Sequence, residues 1–89
     1  MLVFVYLGER NYEVAERFLK SVDADLKQLA EFPGMGALRK FDNPLLVNVR
    51  SWPVSGFENY LLFYRPTETT IEFLRLIHGA MDLEAAFER

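Results

Sequence analysis

Three short segments rich in β-branched and aromatic residues follow one another in the second half of the chain: Val47–Val54, Asn59–Pro66 and Thr70–Gly79. Such segments, bounded by glycine, proline and small polar residues, are typical of β-strands. The first connection contains Gly56, which can adopt the positive φ that tight hairpin turns require. The sequence therefore predicts three strands joined by short hairpin connections, and the remaining residues must cover this small sheet.

The last of these segments carries apolar residues on both sides. Alternation places Ile71, Phe73 and Ile77 on one face and Leu74 and Leu76 on the other. A strand that is apolar on both faces is typical of the middle of a sheet, so we expect it to be central. A shift of one residue in register would reverse every side chain, so the sequence leaves the face assignment open.

The clearest helical pattern runs from Tyr12 to about Phe32. Charged residues fill one side, and Glu16–Lys20 and Asp23–Lys27 stand four residues apart in the order that favours ion pairing. Pro33 then disfavours helical geometry at the residue before it. An amphipathic helix is predicted, with Asn11 as a candidate N-cap. Its apolar stripe is Val14, Phe18, Val22, Leu26 and Leu29, with Ala15 and Leu19 alongside.

The connecting and terminal segments give weaker patterns. Residues 35–44 are predicted to form a loop, because Gly36 and Asp42-Asn43-Pro44 are turn-forming residues. Pro53 indicates that the first strand ends or bulges there. After the last strand, Asp82 is a candidate cap for a short helix, Leu83–Glu88.

Composition limits the function classes. With 89 residues the chain is expected to be one domain, and 51% hydrophobic residues argue against disorder. The absence of cysteine excludes disulfides and thiolate metal sites. Acidic residues outnumber basic ones by 13 to 10, whereas nucleic-acid binders usually carry a basic excess. The apolar start, Met1–Leu7, is too short to span a membrane, so we expect a cytoplasmic protein without membrane partners.

No motif in the sequence names a reaction. P-loop, dinucleotide-binding and zinc-protease signatures are absent, and no cofactor or metal site is predicted. His78 could act as a general acid or base, or could simply end the last strand and shape a turn. Arg50, Arg65 and Arg75 fall on three successive strands. They could converge to bind phosphate or carboxylate groups, or each could pair with a surface acid such as Glu58, Glu68 or Glu72.

Two aromatic residues flank the first hairpin. Trp52 and Phe57 would mark a binding surface if they were exposed, and they need no further explanation if they pack in the core. The core is the preferred interpretation.

Four stretches together resemble the RelE/ParE family of toxins from type II toxin–antitoxin modules. The resemblance covers nearly the whole chain and is closer to the ParE branch. It rests on Leu29–Gly36 (LAEFPGMG), Val49–Val54 (VRSWPV), Leu62–Pro66 (LFYRP) and Leu74–Asp82 (LRLIHGAMD).

The resemblance implies an α+β fold: an N-terminal strand, a helical hairpin, a three-stranded antiparallel meander and a short C-terminal helix. On this alignment Met1–Leu7 is the tail of the first helix, and the family's N-terminal strand is expected to be missing. The sheet would then expose an edge that a partner must cover.

The resemblance also implies two different activities. ParE-like toxins poison DNA gyrase and have no established catalytic site, which makes an enzyme the less favoured expectation. RelE-like toxins cleave mRNA on the ribosome. Here the only residues that could serve that reaction are Arg50, Arg65, Arg75 and His78. The excess of acidic over basic residues favours the gyrase hypothesis over the ribonuclease hypothesis. An inactive remnant that still binds antitoxin is the third interpretation.

The expected partners are a cognate antitoxin and DNA gyrase, with a higher-order toxin–antitoxin oligomer as a further possibility and no direct sequence-specific DNA binding. An antitoxin segment could add a strand to the open edge or lay a helix in a groove. The residues expected to bind the target or the antitoxin are Arg50, Trp52, Arg65, Arg75, His78 and Asp82.

Overall fold

The computed structural model describes residues 12–79. One helix, α1, packs on an antiparallel sheet whose strands lie in chain order, β1-β2-β3-β4. The predicted α+β class is confirmed. Asn11, Met1–Leu7 and Leu83–Glu88 lie outside the described residues. The elements are α1 (Tyr12–Glu31), β1 (Ala37–Leu38), β2 (Arg50–Val54), β3 (Phe57–Pro66) and β4 (Ile71–His78), with 3₁₀ turns at Pro33–Met35 and Pro44–Leu46.

Helix α1 forms where the periodicity predicts it. Phe18 and Leu29 are fully buried, whereas Leu19 is 40% exposed and lies at the margin of the stripe. Both predicted ion pairs are present, with Nζ–carboxylate distances of 3.4 Å for Lys20–Glu16 and 2.9 Å for Lys27–Asp23. All four side chains are mostly exposed, so these pairs add little to stability. In the described part of the chain, no helix combines the length and apolarity needed to cross a bilayer.

The two faces of the sheet carry separate apolar clusters, because neighbouring residues of a strand point to opposite sides. The helix-side core consists of Phe18, Leu29, Val54, Leu62 and Tyr64. Trp52 and Phe57 are partly buried against it, which confirms that they belong to the core.

The second cluster lies on the opposite face. This loop-side core consists of Val49, Phe63 and Ile77, and the segment between β1 and β2 covers it with Phe41 and Leu46. Both faces of the small sheet are therefore partly covered, one by a helix and the other by an irregular segment.

The segment before β2 differs from its prediction. β2 begins at Arg50 rather than Val47, because Pro44 starts a 3₁₀ turn and the Asn43 side chain accepts a hydrogen bond from the Leu45 N–H at 2.9 Å. Asn48 then adopts a φ of 63°, which breaks the extended path. The predicted loop at 35–44 also contains the two-residue strand β1. The register shifts after Pro53, where a bulge was expected.

The predicted central position of the last strand is wrong for the described sheet. Within residues 12–79, β4 pairs with β3 alone and lies at the end of the strand order. Its two-sided apolar pattern arises because the loop-side core covers its second face. The face assignment also changes: Leu76 joins Ile71 in the helix-side core, whereas Ile77 joins Leu74 on the other side. The cause is a β-bulge, a register shift between Phe63 and Tyr64 that interrupts the alternation.

Candidate functional site

The turn after α1 is held by side chains from β2 and β3. The Tyr64 hydroxyl accepts a hydrogen bond from the Gly36 N–H at 2.9 Å and donates one to the Pro33 carbonyl at 2.7 Å. Arg50 donates from Nη1 to the Gly36 carbonyl at 2.7 Å and, more weakly, to the Gly34 carbonyl at 3.4 Å. The turn is thereby fixed to the sheet, and it determines where β1 begins.

Gly36 is required at this position by space. A Cβ atom there would lie 2.5 Å from the Tyr64 Oη, 2.8 Å from the Tyr64 Cε1 and 2.9 Å from the Ser51 carbonyl oxygen. Ser51 and Tyr64 are themselves buried, so neither can move away easily. The glycine therefore allows the turn to approach the sheet closely enough for Tyr64 to bind it.

Arg50 consequently has a structural role on the helix side. It lies opposite Tyr64 in the β2–β3 register, and directly opposed residues share a face. Its guanidinium group binds main-chain carbonyls of the turn. It does not join the other strand arginines.

Arg65 lies on the opposite, loop-side face. It donates from Nε to the Val47 carbonyl at 3.0 Å and from Nη2 to the Leu45 carbonyl at 2.6 Å. Nη1 also lies 3.5 Å from a carboxylate oxygen of Glu72, its neighbour on β4. This confirms the alternative in which Arg65 pairs with a surface acid, and it shows that the side chain also holds the segment that leads into β2.

Arg75 is on the same face as Arg65. It lies opposite the loop-side residue Phe63 and is exposed, with Nη1 donating to the Leu74 carbonyl at 3.1 Å. The structure adds a third arginine that the sequence analysis missed: the Arg39 Cζ lies 5.8 Å from the centroid of the Phe63 ring, within cation–π range. The sequence contained a signal for this residue, because Arg39 and Lys40 are adjacent basic residues in a segment with few acidic ones.

The remaining predicted residues lie elsewhere. His78 lies opposite Tyr60, and their rings meet edge to face with centroids 5.0 Å apart. Tyr60 packs against Phe18 of α1, which places His78 on the helix side at the end of β4. Trp52 is half-buried, and its Nε1 is buried without a hydrogen-bond partner among residues 12–79. Asp82 lies outside the described residues.

A buried carboxylate on α1 was also missed by sequence analysis. Asp25 is only 4% exposed and accepts hydrogen bonds from the Ser55 N–H and the Ser55 hydroxyl, both at 2.8 Å. It thereby fixes the helix to the β2–β3 hairpin, where Gly56 adopts a φ of 80° as predicted. The signal was present in the sequence, since an aspartate one position before Leu26 borders the apolar stripe.

The arrangement separates the predicted site residues into two groups. Arg50 and His78 lie on the helix side, and Arg65 and Arg75 lie on the loop side with Arg39. Among residues 12–79, no group of three or more metal-ligating side chains is close enough to hold a metal ion. What the loop-side face offers is an arginine-lined surface able to bind carboxylate or phosphate groups.

Comparison with known proteins gives a match to a protein family. The family model described as "ParE toxin of type II toxin-antitoxin system, parDE" matches residues 3–83. No curated protein and no solved structure matches the chain significantly. The match covers most of the chain, including the turn at Pro33–Gly36, the arginines on both faces and all four strands. The chain therefore belongs to the ParE family of type II toxin–antitoxin toxins.

Proposed function

We propose that this ParE-family toxin inhibits DNA gyrase, contacts its target through the loop-side arginines, and is neutralised by a cognate antitoxin. The supporting observation is the division of the arginines between two faces. A ribonuclease site of the kind expected from Arg50, Arg65, Arg75 and His78 would need these groups around one scissile phosphate. Instead Arg50 binds the carbonyls of Gly36 and Gly34, on the opposite face from Arg65 and Arg75.

Inhibition by binding fits this geometry better than catalysis does. A toxin that stabilises a cleaved gyrase complex needs a surface that binds an acidic or phosphate-bearing target, and exposed guanidinium groups provide one. Arg75 is exposed, whereas Arg50 and Arg65 are half-buried. Arg75 and Arg39 are therefore the proposed target contacts.

The test is a DNA supercoiling and cleavage assay with purified gyrase. Wild-type protein is expected to inhibit supercoiling and to accumulate cleaved DNA. Arg75→Ala should weaken this effect about tenfold or more, since hydrogen bonds to charged groups contribute roughly 1.5–3 kcal/mol. Lys27→Ala is the matched control, because it removes a positive charge from the exposed surface of α1.

A translation assay with mRNA mapping, run on the same preparations, separates the alternatives. Intact mRNA together with cleaved DNA supports gyrase inhibition. Cut mRNA with normal gyrase activity would refute the proposal in favour of a ribonuclease. A protein that affects neither system but still binds antitoxin would be an inactive member of the family.

Neutralisation by antitoxin has its own test. A ligand that binds only the folded state stabilises it by RT ln(1 + [L]/Kd), about 2.7 kcal/mol at a hundredfold excess over Kd. The melting temperature should therefore rise with the concentration of the antitoxin from the same module. An unchanged melting temperature at saturating antitoxin would refute this partner.

A further inference from the structure

Charge is unevenly distributed between the two sides of the molecule. Helix α1 carries five acidic residues and three basic ones. Residues 37–48, which cover the loop side, carry two basic residues and one acidic one. The loop-side strand positions add Arg65, which is paired with Glu72, and the exposed Arg75. The loop side is therefore locally basic, although the net charge of the whole chain is −3.

Two of these arginines border the same aromatic ring. The Arg39 N–H donates to the Val49 carbonyl at 2.8 Å, which places Arg39 at the β1 end of the sheet. Its Cζ nevertheless lies 5.8 Å from the centroid of the Phe63 ring on β3. Phe63 is directly opposite Arg75 on β4, and the Cα atoms of such opposed residues are about 4.5–5.5 Å apart. One extended ligand can therefore contact both guanidinium groups.

A groove of about 510 Å³ opens next to these cations, between residues 38 and 48. The apolar side chains that line this loop-side groove include Phe41 and Val47, and its basic side chains are Arg39 and Lys40. Among residues 12–79, no acidic side chain lines it. A volume of this size is typical of sites for small organic groups, and a single nucleotide falls within that range.

The groove also has polar and rigid walls. Asn43 and Asn48 line it, and a side-chain amide offers both the donor and the acceptor that the edge of a base requires. The Asn43 Oδ1 accepts a hydrogen bond from the Leu45 N–H at 2.9 Å. Arg65 binds the carbonyls of Leu45 and Val47 at 2.6 and 3.0 Å. The wall is thus fixed before a ligand arrives, which lowers the entropy cost of binding.

We propose that the loop-side groove holds one unpaired nucleotide of a DNA strand. The base packs against Phe41 and Val47. The phosphates on either side of it are bound by Arg39 and Lys40, and Arg75 contacts a further phosphate along the strand. The inference rests on the proposed function in one respect: the strand is assigned to the DNA that gyrase holds.

A nucleotide matches this groove in both of its parts. It combines a charged phosphate with a planar base, and the groove combines basic side chains with an apolar wall. Proteins that bind single strands use the same combination, a positively charged groove with aromatic side chains on which bases stack. Stacking tolerates any base, so the binding is not sequence-specific. A base must leave its pair to enter, so an unpaired strand is favoured over a duplex.

The probe is a fluorescent oligothymidylate of about ten nucleotides, and its anisotropy is followed as the full chain is added. Saturable binding is expected. Three phosphate contacts predict that the logarithm of the association constant falls with the logarithm of salt concentration with a slope of about −2. An abasic strand of the same length keeps the phosphates and loses the bases, so it should bind at least about tenfold more weakly. A duplex should also bind more weakly than the single strand.

Variants separate the phosphate contacts from the base contact. Lys40→Ala and Arg75→Ala should each lower affinity about threefold to tenfold and reduce the salt slope by about 0.7. Phe41→Leu keeps an apolar side chain but removes the aromatic face, so it should weaken binding of oligothymidylate and leave the abasic strand unaffected. Lys20→Ala is the control, because it removes an exposed charge from α1. Melting curves confirm that each variant is folded.

Several outcomes would overturn the inference. Equal binding of the abasic and the normal strand would exclude a base from the groove, and wild-type affinity in both Lys40→Ala and Arg75→Ala would exclude the phosphate contacts. Tighter binding of an RNA strand than of DNA would assign the groove to ribonucleotides. Tighter binding of a peptide that alternates glutamate with valine would assign it to an acidic protein.

The gyrase assay keeps this inference distinct from the proposed function. Accumulation of cleaved DNA by a protein that does not bind the oligonucleotide would refute the groove and leave gyrase as the target. Oligonucleotide binding with the expected salt slope and no effect on gyrase would refute the proposed function and leave the groove as a nucleotide site.

Discussion

Replacing Tyr64 with phenylalanine removes one hydroxyl and two hydrogen bonds while leaving the aromatic ring. The hydroxyl accepts from the Gly36 N–H at 2.9 Å and donates to the Pro33 carbonyl at 2.7 Å. Both Gly36 and Tyr64 are buried, so water cannot readily replace the lost acceptor. Leaving a buried N–H unsatisfied costs about 1–3 kcal/mol, and the second lost bond adds about 1 kcal/mol.

We therefore expect Tyr64→Phe to lower the free energy of unfolding by about 2–4 kcal/mol. In a domain of this size each kcal/mol corresponds to roughly 4–8 °C in melting temperature, so a decrease of at least about 8 °C is expected. The assay is urea denaturation followed by circular dichroism, with an unchanged m-value confirming two-state behaviour. Tyr12→Phe is the matched control, because Tyr12 is 77% exposed and its variant should stay within about 0.5 kcal/mol of wild type.

A loss below about 0.5 kcal/mol for Tyr64→Phe would contradict this expectation, since it would mean that the Pro33–Gly36 turn does not depend on the hydroxyl. The double variant that combines Tyr64→Phe with Gly36→Ala provides a second test of the same contact. A Cβ at position 36 meets the Tyr64 Oη first, so removing that oxygen should relieve part of the clash. The double variant should therefore lose less stability than the sum of the two single variants.

Two further perturbations follow from the same contacts. Gly36→Ala alone should destabilise the fold by about 1–3 kcal/mol through overpacking, as measured by urea denaturation. Gly34→Ala is the control, because a Cβ there meets nothing within 4 Å. Equal losses of stability in the two variants would contradict the close approach of Gly36 to the sheet. Asp25→Ala should cost about 2 kcal/mol and Ser55→Ala about 1 kcal/mol, because the first removes two hydrogen bonds to the hairpin and the second only one. The same denaturation assay compares the stability losses of the two variants. A larger loss for Ser55→Ala than for Asp25→Ala would contradict the proposed role of the Asp25–Ser55 hydrogen bonds.

Local patterns predicted the regular elements well. The stripe through Phe18 and Leu29 predicted α1 because a 3.6-residue period is a property of the helix alone. Pro33 and Pro66 ended their elements as expected, since proline removes a main-chain donor and restricts its neighbour. These signals depend on the residues of one element, so the sequence suffices to interpret them.

Features that depend on two elements were not predictable in the same way. The faces of β4 were misassigned because the register shift between Phe63 and Tyr64 depends on pairing with β3, and a single shift interrupts the alternation. Strand β1 was not predicted, because its two residues are too few to show an alternating pattern. It forms because Tyr64 and Arg50 bring the preceding turn to the sheet.

The candidate site shows the same division. The sequence identified Arg50, Arg65 and Arg75 as the residues of interest but could not say that they lie on two faces. Arg39 was missed because its role depends on contact with Phe63, which is distant along the chain. Family membership, by contrast, was predictable from the motifs, because the resemblance noted in the sequence agrees with the family match over residues 3–83.

We propose that this ParE-family chain acts on gyrase by binding through the loop-side arginines. The most direct measurement is the amount of cleaved plasmid DNA that accumulates when purified protein is added to gyrase, with Arg75→Ala and Lys27→Ala tested beside wild type. Cleaved DNA is expected with wild type and with Lys27→Ala, and about tenfold less of it with Arg75→Ala. No cleaved DNA from folded wild-type protein, together with cut mRNA in a translation assay, would contradict this proposal.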